Sequence, residues 1–146
     1  MPYLYRDNGA RRAAETRKRI LDAALRCFAA GGYEGTSMRQ LAECCGLTDA
    51  ALYYHFESKQ ALMDALLRER WGCLAAPRPE PDTARRPSGA LAHLIDLILD
   101  RWAEHADYLR VLAREAHTSA LARELYARIA DEWADSMTAL LAGRLH

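Results

Sequence analysis

The stretch Ser37 to Phe56 (SMRQLAECCGLTDAALYYHF) ends on two adjacent tyrosines and a histidine, Tyr53, Tyr54 and His55, preceded by Thr48, Asp49 and Ala50. Phenol and hydroxyl groups hydrogen-bond phosphate oxygens, and apolar edges meet thymine methyl groups. Set outward on one short helix, such side chains serve contact with a nucleic acid better than they serve solvation. The elements that would hold them there are a short helix, a tight glycine-containing turn and a second short helix, the layout that presents its second helix to a DNA major groove. That geometry requires a small Ala42 where the helices approach. It also requires Gly46 in a left-handed turn, and Leu47 and Leu52 as anchors to a core.

Other chemistry-bearing residues form no comparable group. His93, His105 and His117 are twelve residues apart, not the four-residue spacing that puts two ligands on one helix face, so no metal site is expected. Cys27, Cys44, Cys45 and Cys73 lack a C-x-x-C pair and read as small apolar packing residues. For Cys44-Cys45, packing is preferred to redox sensing because no basic cluster surrounds them. With no Gly-rich phosphate loop, nucleophile motif or acid pair, the chain does not read as an enzyme, and no cofactor is expected.

The chain of 146 residues, 51% hydrophobic and 27% charged, has the composition of a globular protein rather than a disordered one. No apolar run reaches a membrane span and the first residues lack a secretory pattern, so a cytoplasmic location without membrane contact is the default expectation. The totals of 20 basic and 20 acidic residues cancel, which argues against a generally basic nucleic-acid binder. Placement qualifies this, since residues 1–20 hold six basic groups against two acidic. Such an arm follows a phosphate backbone, enters a minor groove, or is a solvated, disordered start.

Strong helix formers dominate, and no β-branched run alternates with period two, so the fold class is all-α. The first helix is expected from about Ala14 to Ala30, carrying Ile20, Leu21, Ala24, Leu25 and Phe28, and ending at Gly31-Gly32. Thr36-Ser37 caps a second helix with Met38, Leu41, Ala42 and Cys45 on one face. Thr48 caps a third reaching about His55, and Ser58 caps a fourth reaching about Cys73. Ala75 to Pro87, rich in proline, is a linker. Ser88 then caps a fifth helix, whose many apolar residues (Leu91, Leu94, Ile95, Leu97, Ile98, Leu99, Trp102) imply burial on several sides. A sixth spans about Asp107 to His117. A seventh, about Ala120 to Ala142, carries a Tyr126, Ile129, Trp133, Met137, Leu140 stripe.

From Arg17 to Leu67 the chain resembles the DNA-binding domain of the tetracycline-repressor (TetR) family. The matching features are Ile20-Leu21-Asp22-Ala23-Ala24, Phe28-Ala29, Gly31-Gly32-Tyr33, Gly35-Thr36-Ser37 into Arg39 to Ala42, Gly46-Leu47-Thr48, Leu52 to Phe56, and Ser58-Lys59 with Leu62. The resemblance implies a three-helix DNA-binding head and a short C-terminal helical bundle. The corresponding segments are 1–58 for arm and head, 59–74 for a connecting helix, 75–87 for the linker, and 88–146 for a ligand-binding and dimerisation body. It implies phosphate contacts from Thr36, Ser37, Tyr54, His55 and Lys59, and base contacts from Arg39, Thr48, Asp49, Ala50 and Tyr53. Asp49 accepts from a cytosine amine or merely supports the cap of its helix. The implied partners are a palindromic double-stranded DNA operator, a second copy of the chain and a small-molecule effector.

The mechanism so implied is repression relieved when the effector moves the fourth helix. Ile98, Trp102, Tyr108, Tyr126, Trp133 and Met137 line the effector pocket or form ordinary core. Dimerisation would use exposed apolar surface on the sixth and seventh helices, because the family usually adds two long helices after the seventh. The alternatives are a helical protein-interaction module, or a truncated regulator with no ligand response.

Overall fold

The computed structural model describes residues 3–75 and 87–142, and among these every regular element is helical. They form two compact units, 1–68 and 69–146. The expected linker therefore lies, from 76 to 86, outside the described residues.

In the first unit, α1 (Tyr3–Gly31) is longer than its apolar periodicity indicates. The helix begins at Tyr3 rather than at about Ala14, so the basic arm continues as helix; Ala, Arg and Glu all favour that state. Ile20, Leu21, Ala24 and Phe28 are buried as expected, with Ala23 and Ala29 beside them. The turn after α1 is tight, because Gly35 lies against the backbone of Gly31 where a Cβ would collide with the carbonyl. Lys59 and Arg17 brace this unit from its edges. The Lys59 ammonium donates to the Tyr33 carbonyl (2.8 Å) and the Thr36 carbonyl (3.1 Å) and lies 4.2 Å from the Tyr33 ring centroid. Arg17 stacks 4.4 Å from the Phe56 ring centroid.

Helix α2 (Met38–Cys45) begins at Ser37, whose hydroxyl accepts from the Gln40 amide while the Gln40 side chain accepts from the Ser37 N–H. This reciprocal pairing satisfies two otherwise unpaired donors of the helix start. Gly46, at φ 67°, ends α2 in the left-handed conformation its turn demands. Helix α3 (Asp49–His55) follows, with the Thr48 hydroxyl accepting from the Ala51 amide. Ser58 does the same for Ala61 in α4 (Lys59–Arg70). Leu41, Ala42, Leu52, Leu62 and Leu66 are sealed from solvent. Leu47, expected as a second anchor, is half-buried.

In the second unit the chain leaves α4 through a 3-10 turn, Trp71–Leu74, short of the helix expected to reach Cys73. Three long side chains hold that turn. The Trp133 indole N–H donates to the Leu74 carbonyl (3.1 Å), Arg101 donates to the Cys73 carbonyl (3.2 Å), and the Arg128 guanidinium lies 4.3 Å from the Trp71 ring centroid. Helix α5 (Pro87–Glu104) starts at Pro87, one residue before the expected cap Ser88, a position where a missing N–H costs nothing. Helices α6 (Ala106–Glu115) and α7 (Ala120–Ala142) complete the unit, with the Ser119 hydroxyl capping α7 at Ala122.

Two expectations about this unit are corrected. Helix α5 is not buried on several sides. Leu94 is buried, but Ile95, Leu97, Leu99 and Trp102 are exposed. On α7 the inward stripe is Ala122, Leu125, Ile129 and Trp133, while Tyr126 faces out. Leu125 closes one edge of that buried arc, while Tyr126, one residue on, lies beyond its other edge and keeps its hydroxyl in water. The side chains of Leu91 and Leu140 lie outside the described ones.

Candidate nucleic-acid interface

Helix α3 is short, yet its orientation is strictly set. Thr48 and Gly46 close its start within three residues of the end of α2, and Leu52, sealed from solvent, pins one face inward. The period of 3.6 then turns the others outward. Thr48, Asp49 and Ala50 are exposed, Tyr53 is 50% exposed and Tyr54 is 85% exposed. Leaving Tyr54 this far in water keeps both its ring and its hydroxyl available to a partner. His55, half-buried at the end of α3, meets the Tyr54 ring edge-on at 5.4 Å between centroids.

The α2 residues at its start are also outward. Ser37 and Arg39 are exposed, and Arg39 is paired with Glu43 on the next turn at 3.2 Å. A pair so open to solvent is worth little and yields readily to a stronger anion. The Ser37 hydroxyl is shared with Gln40, at 3.0 Å to the amide oxygen and 3.2 Å from the backbone amide. Gln40 was not singled out in the sequence, although Ser-x-x-Gln is the local signature of this cap.

Two of the expected phosphate contacts occupy different positions. Thr36 is buried, and its hydroxyl donates to the Gly32 carbonyl at 2.8 Å. Its expected phosphate contact is thereby corrected, because the hydroxyl points into the turn after α1. Lys59 is half-buried and spends two of its three donors on the Tyr33 and Thr36 carbonyls. Its first service is to the turn that positions Ser37. The sequence did not reveal this, since the partners lie 26 and 23 residues away.

Basic residues of α1 extend the interface in composition. Arg12, Lys18 and Arg19 are exposed, Arg11 is paired with Glu15 at 3.2 Å, and Arg19 reaches the Cys45 carbonyl at 3.4 Å. The Arg6 side chain lies outside the described ones.

The residues expected to line an effector pocket or form ordinary core differ in burial. Tyr108 and Trp133 are core, Ile98 and Met137 are half-buried, and Trp102 and Tyr126 are 41% and 50% exposed. The Tyr108 phenol is pushed above its ordinary range by burial, with a smaller contribution from Cys73. Among the described residues, no group of three or more His, Cys, Asp or Glu is placed to hold a metal ion, and no helix is long and apolar enough to cross a membrane.

Comparison with known proteins bears on the same segment. Residues 20–66 match the model of the bacterial regulatory proteins of the tetR family. The chain is 41% identical over 76 residues to the HTH-type transcriptional repressor Rv1474c of Mycobacterium tuberculosis, covering 52% of this chain and 38% of that protein. It is 46% identical over 54 residues to the HTH-type transcriptional repressor AcnR of Corynebacterium efficiens, covering 37% and 29%. The chain thus spans well under half the length of these relatives. Among solved structures, the TetR family transcriptional regulator PfmR of Thermus thermophilus superposes with a TM-score of 0.68 at 26% identity, covering 85% of this chain and 69% of that one.

Proposed function

We infer that this chain, which belongs to the tetR family of bacterial regulatory proteins through its amino-terminal helices, is a DNA-binding transcriptional regulator of the repressor type. The observation that carries the reading is α3 itself: a helix pinned by Leu52 behind a left-handed Gly46, presenting Tyr53 and Tyr54 to solvent. Tyr53, Arg39, Thr48 and Ala50 meet base edges. Ser37, Tyr54 and His55 meet phosphates, with the third donor of Lys59 beside them. Asp49 supports the start of α3, where a carboxylate is stabilised by the helix dipole but repelled by phosphate.

Two heads read a palindromic operator together, so the regulator acts as a dimer. The exposed apolar surface available for that, among the described residues, lies on α5 at Ile95, Leu99 and Trp102, and on α7 at Tyr126. Light scattering at micromolar concentration checks it, and a strict monomer with and without DNA overturns it. An effector site in the second unit belongs to the same reading, with relief of repression as its consequence. A regulator without effector response is favoured by one observation, the outward-facing Trp102 and Tyr126. A thermal-shift screen separates the two: a small molecule that stabilises the second unit supports the effector.

The direct test of DNA binding is selection of bound sequences from a random pool, followed by gel shifts across salt concentrations. Each phosphate contact should contribute about −0.9 to the slope of log affinity against log salt. Replacing Arg39 or Tyr53 by Ala should weaken binding by about tenfold or more and relax preference at particular bases. Replacing Tyr54 by Phe should weaken all sequences alike. Absent or salt-independent binding overturns the reading.

A further inference from the structure

We propose that Cys27 and Cys44 are an oxidisable thiol pair that closes to a disulfide joining α1 to α2 within the first unit. Their sulfur atoms are 2.9 Å apart, with the Cys27 thiol donating to Cys44 Sγ, and both cysteines are free. A disulfide bond measures about 2.05 Å, so a displacement of less than about 1 Å separates contact from bond. The two residues belong to different helices and lie 17 positions apart, so their meeting is a product of packing. Cys45 is not the alternative partner of Cys44. Successive residues on a helix point about 100° apart, and Cys45 is turned into the core.

The pair is unequal, and the inequality assigns the roles. Cys44 is exposed and Cys27 half-buried, so Cys44 meets an oxidant first. Burial pushes the Cys27 thiol up to about 11, reinforced by the hydrogen bond to Cys44 and the neighbouring sulfur charge, with Arg26 opposing. Cys27 is the resolving thiol because its sulfur already lies 2.9 Å from Cys44 Sγ, and its tightly held proton must be given up as it attacks. With a hydroperoxide as oxidant, the Cys44 sulfur attacks the outer oxygen. The O–O bond breaks, leaving a Cys44 sulfenic acid and one molecule of alcohol or water. The Cys27 sulfur then attacks the Cys44 sulfur; the S–S bond forms, the S–O bond breaks, and the departing hydroxide takes the Cys27 proton away as water. The two thiols lose two electrons and two protons, and one peroxide is reduced. A dithiol returns the pair by exchange.

The disulfide would close a loop containing Ser37 and Arg39 and tether α2 near the Gly46 turn that leads into α3. A closed loop of this kind restricts the unfolded chain, so the oxidised head unfolds at a higher temperature.

The test uses the full chain treated with hydrogen peroxide, then alkylated under denaturing conditions and weighed. The four alkylatable thiols should fall to two, with dithiothreitol restoring all four. A non-reducing tryptic digest should join the peptide beginning at Cys27 to the one carrying Cys44 and Cys45. That linkage should survive in Cys45→Ser and Cys73→Ser and vanish in Cys44→Ser. Four alkylatable thiols after treatment, a Cys44 sulfinic acid beside free Cys27, or a disulfide between two chains would each overturn the proposal. The peptide map of the unsubstituted chain decides it even where a variant fails to fold, and none of these outcomes depends on DNA binding.

Discussion

Among the described residues of the first unit, the large apolar side chains left in solvent are Tyr53 and Tyr54, neighbours on one short helix. In the second unit they are Ile95, Leu97, Leu99 and Trp102 along α5, and Tyr126 on α7. The tyrosines are amphipathic, so water tolerates them and a phosphate or base edge can use them. Ile95, Leu99 and Trp102 recur at i, i+4 and i+7, an uncovered stripe without polar outlets apart from the indole. The first unit is thus a finished small core with a selective outer face. The second buries Tyr108, Leu112 and Trp133 yet leaves an apolar face in water. Similarity to known proteins divides in the same way. The family model matches within the first unit, at residues 20–66, whereas the likeness to PfmR over 85% of the chain comes with 26% identity.

The contrast breaks first on core truncations. Leu52→Ala, at a position sealed from solvent, should cost about 2–5 kcal/mol by urea unfolding. Leu99→Ala, at a position 57% exposed, should stay within about 0.5 kcal/mol. Equal losses would mean that the α5 face is covered in solution. A smaller effect is expected from Trp133→Phe, which keeps an aromatic ring but removes part of the buried indole and leaves the Leu74 carbonyl without its donor. A loss of about 1–3 kcal/mol in the thermal or urea transition of the second unit would confirm that this bond anchors the 3-10 turn. Ser37→Ala should cost the first unit about 1 kcal/mol, because the Gln40 amide loses its acceptor at the start of α2. No change would assign the cap to Gln40 alone.

The smallest effect is a pH dependence confined to the first unit. The Cys27 thiol is raised from its ordinary 9.0 to about 11, chiefly by burial. The folded state therefore holds its proton more tightly than the unfolded one. This contribution is fully present below pH 9, and is lost as pH rises through about 11. Unfolding midpoints measured between pH 8 and 11 should fall more steeply for the unsubstituted chain than for Cys27→Ser.

Much of the first unit was legible because its instructions are local. Ser37, Gly46, Thr48 and Ser58 each act within three or four residues, through a cap bond or a left-handed turn, so the bounds of α2 and α3 and the outward face of α3 followed from spacing. Thr36 was misplaced for the opposite reason, and the service of Lys59 to its own turn was missed for it too. A hydroxyl and an ammonium near a helix start read as phosphate donors, and only the folded turn shows the carbonyls they already serve. In the second unit the apolar excess of α5 counted residues correctly but not their exposure, since periodicity cannot say how many neighbours a helix has.

The division between sequence and tertiary structure follows the range of the forces involved. Helix type, helix ends, the helix-turn-helix spacing and the choice of Tyr53 and Tyr54 for the outer face were determined along the chain. They depend on hydrogen bonds and side-chain periods that close within one or two turns. The meeting of Cys27 with Cys44, the hold of Trp133 on Leu74 and the nakedness of α5 were decided only by packing. Each depends on residues far apart in sequence, whose distances become defined when the cores close.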